Sequence, residues 1–293
     1  MRGCSGGNAV AITKTDSIGD VVDTVIAEAR RTQMHRTVME PLVRTYRVPR
    51  GAGDRLEIPK FGTVSASALT EGVDMTNPQT LTTSKVSITP AEVGAQIVLT
   101  DRALRTAKED MARAAGRVLG DAIARKLDTD LLGMLDSFSA SLGGAGKNIS
   151  MGHLRAAVSR LHGADEPAPQ PFHAVLHPYQ AHDLAADISP TGTYPVPAGI
   201  SQTVLENHWV ARAFGVDVFQ AGNLAVDSSD DAKGAVFSKE ALVLVMFKDW
   251  AVERQRDASL RAWELNVVAD YGLGEYADAW GVEMYFDAST PSS

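Results

Sequence analysis

From residue 17 onward, apolar side chains recur at helical spacing: Val21, Val25 and Ala29, then Met34, Val38 and Leu42. Ser17 is placed to cap the start, with Asp20 three positions on as a weak capping-box partner. Pro41 interrupts the run. The pattern predicts an N-terminal helix over 17–45, preceded by a small, polar, flexible arm over 1–16. The period then changes to two. DRLEIPKF (54–61) brings Leu56, Ile58 and then Phe61; further on, Val86 and Ile88 alternate ahead of the apolar run Ile97-Val98-Leu99. Turn-prone EGVD and TNPQ lie between. The simplest prediction is a long two-stranded hairpin with about 20 residues per arm, reaching about 65 Å at roughly 3.3 Å per residue. Pro59 confines its strand to an edge. Its middle, TEGVDMTNPQTLTTSKVSITP (70–90), is rich in Thr, has no aromatic residue and offers almost nothing to bury. A hairpin alone is marginal in water, so something outside it must hold it.

Residues 100–138 then read as one long helix without proline, about 57 Å at roughly 1.5 Å per residue. One stripe runs Ala107, Met111, Ala114, Val118 and Ala122; a second runs Ala115, Leu119, Ile123, Leu127, Leu131 and Leu135. Thr100 or Asp101 can cap the start, and SASLGGAG ends the run. From 150 to 233 helical and strand signals mix. A short amphipathic helix starts at Ser150, FHAVLHP (172–178) reads as a buried strand, and YQAHDLAADI (179–188) as a helix. A Pro/Gly-rich loop follows (189–200), then a strand pair over 211–222 and an acidic loop over 226–234. The remainder, 234–293, reads as long antiparallel strands.

Composition narrows the function. The 293 residues are 44% hydrophobic and 22% charged, a globular profile with ample material for a core. The net charge of −8 excludes a general affinity for nucleic acid, which needs clustered Lys and Arg to release counterions. It does not exclude a container. Cys4 is the single cysteine, so no intrachain disulfide or Cys-based metal site can form. No apolar run near the N-terminus suits a signal peptide. ALVLVMF (241–247) is far short of a membrane span, so cytoplasmic synthesis is expected.

Letter-matches to catalytic motifs fail on context. GCSGG (3–7) matches the nucleophile elbow but has no strand before it. GLGEYA (272–277) matches a dinucleotide fingerprint, yet too little chain follows for a βαβ unit, and a turn between strands is expected there. GGAGKN (143–148) lacks the first glycine and final hydroxyl of a P-loop. His173, His177 and His182 cluster in sequence, with Asp183 or Asp187 as conceivable further ligands, but the spacing fits structural roles better than zinc. Asp128/Asp130 and Asp230/Asp231 read as solvated faces or loop tips. No active site, metal site or cofactor is expected.

The order of elements resembles one family: the major capsid proteins of tailed bacteriophages, with the HK97-type α+β fold. The likeness covers the chain from about residue 18. It rests on LEIPKFGTVSASALTEGVDMTNPQTLTTSKVSITPAEVGAQIVLTDRAL leading into the long helix, on AVLHPYQAHDL, and on AVFSKEALVLVMF before the last strands. The resemblance implies an extended hairpin, the E-loop, over 46–99. It implies a P-domain over 100–149 with the spine helix at 100–138, an α/β axial A-domain over 150–233, and strands over 234–293 that complete both. It further implies a structural protein and not an enzyme. Subunits would form the pentamers and hexamers of an icosahedral shell around double-stranded DNA, contacted non-specifically, assembled in the bacterial cytoplasm and ending in the virion.

In that family the hairpin lies across a neighbouring subunit. Charged residues beside it become candidates for the assembly interface: Lys60, Glu71, Asp74, Lys85, Arg102 and Arg105. With Pro59, the hairpin charges also discourage indiscriminate edge pairing. The resemblance implies further partners: a separate scaffolding protein, since few residues precede the first helix unless the chain has been trimmed, a portal protein and decoration proteins. No membrane partner is expected. Some members cross-link through Lys and Asn; Lys60, Lys85 and Asn266 are the right types, though no flanking motif marks them. Three rivals stand beside this reading: an encapsulin-like shell around an enzyme cargo, a hydrolase built on the 173–182 histidines, and a tail or connector structural protein, though the last seldom combines such a hairpin with so long a helix.

Overall fold

The computed structural model describes residues 37–49, 53–66, 68–72, 74, 78–106, 111–187 and 212–291. The expected N-terminal arm and most of the 17–45 helix lie outside them. The chain divides into two units, one holding Glu92–Asp128 and Asp249–Asp270, the other Val38–Ala91, Thr129–Lys248 and Tyr271–Ser293.

The larger unit is built on a six-stranded mixed sheet. Its strands are β5 (Ser141–Gly143), β6 (Phe172–Leu176), β7 (Arg212–Ala213), β8 (Val216–Gln220), β9 (Asp231–Ser238) and β12 (Gly281–Asp287), in the order β5-β12-β9-β6-β8-β7. FHAVL is buried at every position because β6 lies between β9 and β8 and both its faces are covered. Helix α3 (Met151–His162) presents Leu154, Ala157 and Leu161 to this core, and α4 (Pro178–Asp187) presents Leu184. They join Phe172, Leu176, Val218, Val236, Met284 and Phe286. Each fully buried side chain of this size contributes about 1.5–3 kcal/mol. The start of α3 is secured twice: the Ser150 backbone N–H donates to His153 Nδ1 (3.2 Å), and the Met151 N–H donates to Asp187 (2.9 Å). Parallel β6 and β8 flank α4 in sequence, as a βαβ crossover requires.

A second sheet orders β1 (Arg44–Arg47), β10 (Leu242–Asp257), β11 (Ala262–Glu275) and β4 (Ala91–Thr100) as β1-β10-β11-β4. In the larger unit β1 runs parallel to β10, Arg44 opposite Val243 and Arg47 opposite Met246. The sequence reading differs here. Helix was expected to continue to residue 45, but Pro41 sits in a one-turn 3-10 segment (Glu40–Leu42), and Thr45-Tyr46 favour extension beside a buried apolar strand. In the smaller unit β4 lies against β11: a Cβ on Gly94 would meet the Val267 carbonyl oxygen at 3.1 Å.

The helical region is described as α1 (Asp101–Thr106) and α2 (Met111–Gly133), followed by a 3-10 turn over Met134–Ser137. Residues 107–110 lie outside the description. Of the two stripes expected, the second is buried throughout, with Ala115, Leu119, Ile123, Leu127, Leu131 and Leu135 all at 8% exposure or less. The first is not: Val118 is half-buried and Ala122 exposed.

Candidate assembly surface

The two-stranded sheet that remains is the hairpin. Strands β2 (Leu56–Phe61) and β3 (Thr83–Ile88) pair antiparallel, from Leu56 opposite Ile88 to Phe61 opposite Thr83. The ladder is six residues per arm, shorter than the long arms expected from sequence. Ile97-Val98-Leu99 does not extend it, because those residues belong to β4 and the four-stranded sheet. Beyond Phe61 one further backbone bond links Gly62 N–H to the Thr82 carbonyl (2.8 Å). Gln79 and Ser65 then hold the strands together through side-chain bonds.

Alternation gives the hairpin two faces. On one, Leu56, Ile58, Val86 and Ile88 pack with Val243, Val245, Tyr46, Val48, Phe247 and Tyr276 of the same unit. At the end of that face Lys60 Nζ stands 6.0 Å from the centre of the Tyr276 ring. Beside it lie two carboxyl groups. Ser137 donates to Glu275 (2.9 Å), and Ser139 donates to Asp278 through its backbone N–H (2.7 Å) and its hydroxyl. Burial raises the Glu275 carboxyl above the ordinary range, and the neighbouring Asp278 adds to that. Burial acts on Asp278 in the same direction, but the hydrogen bonds from Ser139 outweigh it and hold that group low. On the opposite face Lys85 bonds to Glu57 (2.8 Å), with Arg55 3.8 Å from the same carboxylate. The Lys85 bond keeps Glu57 ionised below its ordinary value. Ion pairs this exposed add little stability.

The outer part of the hairpin carries large apolar side chains, three of them ahead of the 70–90 stretch that offers little to bury. Phe61, Val64, Leu69 and Leu81 are 59%, 60%, 68% and 55% exposed. Half of the large apolar side chains exposed among the described residues therefore lie on this one finger. Exposed apolar side chains gathered on one element make it the candidate surface.

The six charged residues expected at an interface do not form one cluster. Lys60 and Lys85 occupy opposite faces of the ladder; Glu71 and Asp74 are exposed in the distal turn. Arg102 is exposed on α1 of the smaller unit, and the Arg105 side chain lies outside the description. Sequence reasoning missed Phe61, Leu69 and Leu81 as a set because they are spaced irregularly among Thr and Ser. It also missed Glu275 and Asp278, distant in sequence from Lys60.

The features that suggested chemistry are accounted for by packing. His173 is buried edge-on to Phe219 and Phe237, and His177 edge-on to Tyr179. Burial lowers the proton affinity of both rings. His182 stands beside Asp183. Among the described residues, no group of three or more His, Cys, Asp and Glu is placed to hold a metal. A cavity of about 380 Å³ is lined by Asp136, Asp227, Asp231 and Lys233, but Lys233 pairs with Asp136, and the Gly146 backbone N–H donates to Asp231 (2.8 Å). Asp227 holds its own turn through the Ser229 and Asp231 N–H groups. The GLGEYA run is not the expected turn: Gly272 and Gly274 lie within β11.

Comparison with solved structures places this architecture among phage capsid subunits. A structure of Mycobacterium phage Che8 superposes with a TM-score of 0.71 at 18% identity, covering 85% of this chain and 91% of that one. The head of Helicobacter pylori bacteriophage KHP40 gives 0.70 at 12% identity, covering 85% and 89%. The capsid of Ralstonia phage GP4 gives 0.68 at 12%, covering 100% and 96%. No curated protein matches in sequence. The model of the phage capsid protein family matches residues 83–282, and the chain belongs to that family. It is a structural protein of the phage virion, a component of the capsid shell.

Proposed function

We propose that this chain is the subunit that tiles the shell as pentamers and hexamers, closing an icosahedron around double-stranded DNA. The observation that carries this reading is the division of the hairpin: its root is packed on its own subunit, while Phe61, Val64, Leu69 and Leu81 have that much apolar surface still in water. A second copy of the chain satisfies that surface and the free strand edges together. On this reading residues 46–99 serve as the E-loop, 100–138 as the spine helix of the P-domain, and 150–233 as most of the axial A-domain. Contacts weak singly become strong when each subunit makes several at once. The net charge of −8 suits a wall that holds DNA without gripping it. Assembly would take place in the host cytoplasm, with scaffolding, portal and decoration proteins as further partners.

Negative-stain microscopy of the purified chain, alone and co-expressed with its neighbouring structural genes, tests this directly. Closed polyhedral shells or capsomer rings are the expected result. A persistent monomer at high concentration under both conditions would remove the reading, and a shell filled with a copurifying enzyme would turn it towards a cargo compartment.

A further inference from the structure

One side chain of the hairpin's packed face is buried more deeply than the rest. Ile88, the last residue of β3, is 2% exposed and sits against β11 where that strand carries glycines at alternate positions. A Cβ on Gly272 would lie 2.5 Å from Ile88 Cγ2 and 2.9 Å from the Thr89 carbonyl oxygen. One on Gly274 would lie 2.6 Å from Ile88 Cδ1 and 2.7 Å from Cγ1. Glycine within a strand weakens it, and its presence marks a close approach. Here it makes a notch in the sheet that admits one side chain.

A second contact sits further along the same face, where Lys60 stands over Tyr276. Two points fix a direction. Small changes at the root grow towards the tip: Val64 is eight residues beyond Leu56, which pairs with Ile88, so it lies roughly 26 Å out at about 3.3 Å per residue. A tilt of about 10° at the notch would carry it about 4.5 Å sideways, and a radial gap of even ~1 Å forfeits much of a van der Waals contact.

We propose that Ile88 seated between Gly272 and Gly274 is the positioning element that aims the apolar end of the hairpin at a second copy, and so decides whether subunits close into a shell. The proposal rests on the capsid reading above. Its role is orientation, not mere cohesion: apolar area could be buried at the root by any large residue on β11, but only a notch dictates where the knob goes.

The test is a double-mutant cycle in the full chain: Gly274→Ala, Ile88→Ala and the pair combined. Gly274 is the better target because the atoms nearest an added methyl belong to side chains, Ile88 and, at 3.7 Å, Val86, whereas at Gly272 the Thr89 carbonyl oxygen is also close. In a Cys4→Ser background, spin labels at Thr63→Cys and Ser159→Cys report hairpin direction in unassembled subunits. Microscopy reports the fraction of closed shells. Gly274→Ala is expected to shift the label distance and replace closed shells by open or irregular assemblies. Ile88→Ala alone, which empties the notch, is expected to shift the distance and impair closure too, and the pair combined is expected to do no better than Ile88→Ala alone, since the methyl then has nothing to displace but no knob remains to seat. A Gly274→Ala chain that closes shells like wild type overturns the proposal, as does an unchanged label distance. Wild-type chain that forms no shells would instead overturn the capsid reading, and the positioning role with it.

Discussion

The amide of Gln79 closes on Ser65 at three points, donating to the Ser65 carbonyl (2.7 Å) and hydroxyl (2.9 Å) and accepting the Ser65 backbone N–H (2.8 Å). A side chain thereby takes the place of a strand residue beyond the point where the backbone ladder ends. Gln79→Ala removes all three bonds at an exposed site, where a net loss of about 1 kcal/mol is expected. Amide exchange over 63–81 should quicken while the global Tm stays put. Hydrogen-exchange mass spectrometry distinguishes this local opening from a general loss of stability.

The exposed row on the finger should matter to assembly and not to folding. Phe61→Ser, Leu69→Ser and Leu81→Ser each alter a side chain more than half exposed. Such changes leave stability within about 0.5 kcal/mol. The concentration at which light scattering first reports assembly should rise with each, and most in the triple variant. A fall in Tm of the unassembled chain matching the assembly defect would show these residues to be part of the fold instead.

Acid should destabilise the larger unit through its histidines. Burial depresses His173 and His177 below the ordinary 6.5, with Asp217 partly opposing the effect at His173 and Lys239 adding to it. The unfolded chain therefore takes up protons below about pH 6.5 that the folded chain refuses. Stability is complete above that value and falls as pH drops towards the depressed folded values. Urea midpoints measured from about pH 7.5 down to about pH 5 should decline, and His173→Phe, which keeps a ring between Phe219 and Phe237, should shallow the slope.

Glu275 has the opposite sign. Its folded value is raised, so its favourable contribution exists below the ordinary 4.5 and is lost as pH rises through the folded value. Near neutrality the ionised group is held beside Asp278 at a cost. Glu275→Gln keeps an acceptor for Ser137 and a donor towards Asp278 while removing the charge. A higher Tm at neutral pH is expected, with no gain near pH 4; a lower Tm at neutrality would show that the Lys60 attraction outweighs the repulsion.

Much of the architecture could be read from period alone, and the failures have physical causes. FHAVL declared a strand buried on both faces, and Leu119, Ile123, Leu127 and Leu131 declared a buried helical stripe, because in both the local pattern and the tertiary demand coincide. Ile97-Val98-Leu99 misled because an apolar run states that it is buried without stating against what; its partner, β11, is more than 160 residues away in sequence. GLGEYA misled in the reverse sense. Glycine usually signals a turn, but here it provides room for Ile88, and no local signal reveals a guest arriving from residue 88. The candidate surface was legible as a hairpin needing outside support. Its apolar row was not, since Phe61, Leu69 and Leu81 share no simple spacing, and solvent exposure is a property of the fold.

If the exposed apolar side chains of the finger are what join one copy to the next, as proposed above, they also set a thermal character. Attraction between apolar surfaces is entropic near room temperature and fades on cooling, whereas the ion pairs of Glu57 with Lys85 and Arg55 lie within a single chain and offer no substitute between chains. Particles clasped this way should tighten with warmth and loosen in the cold, so refrigeration would be the gentlest way to take them apart.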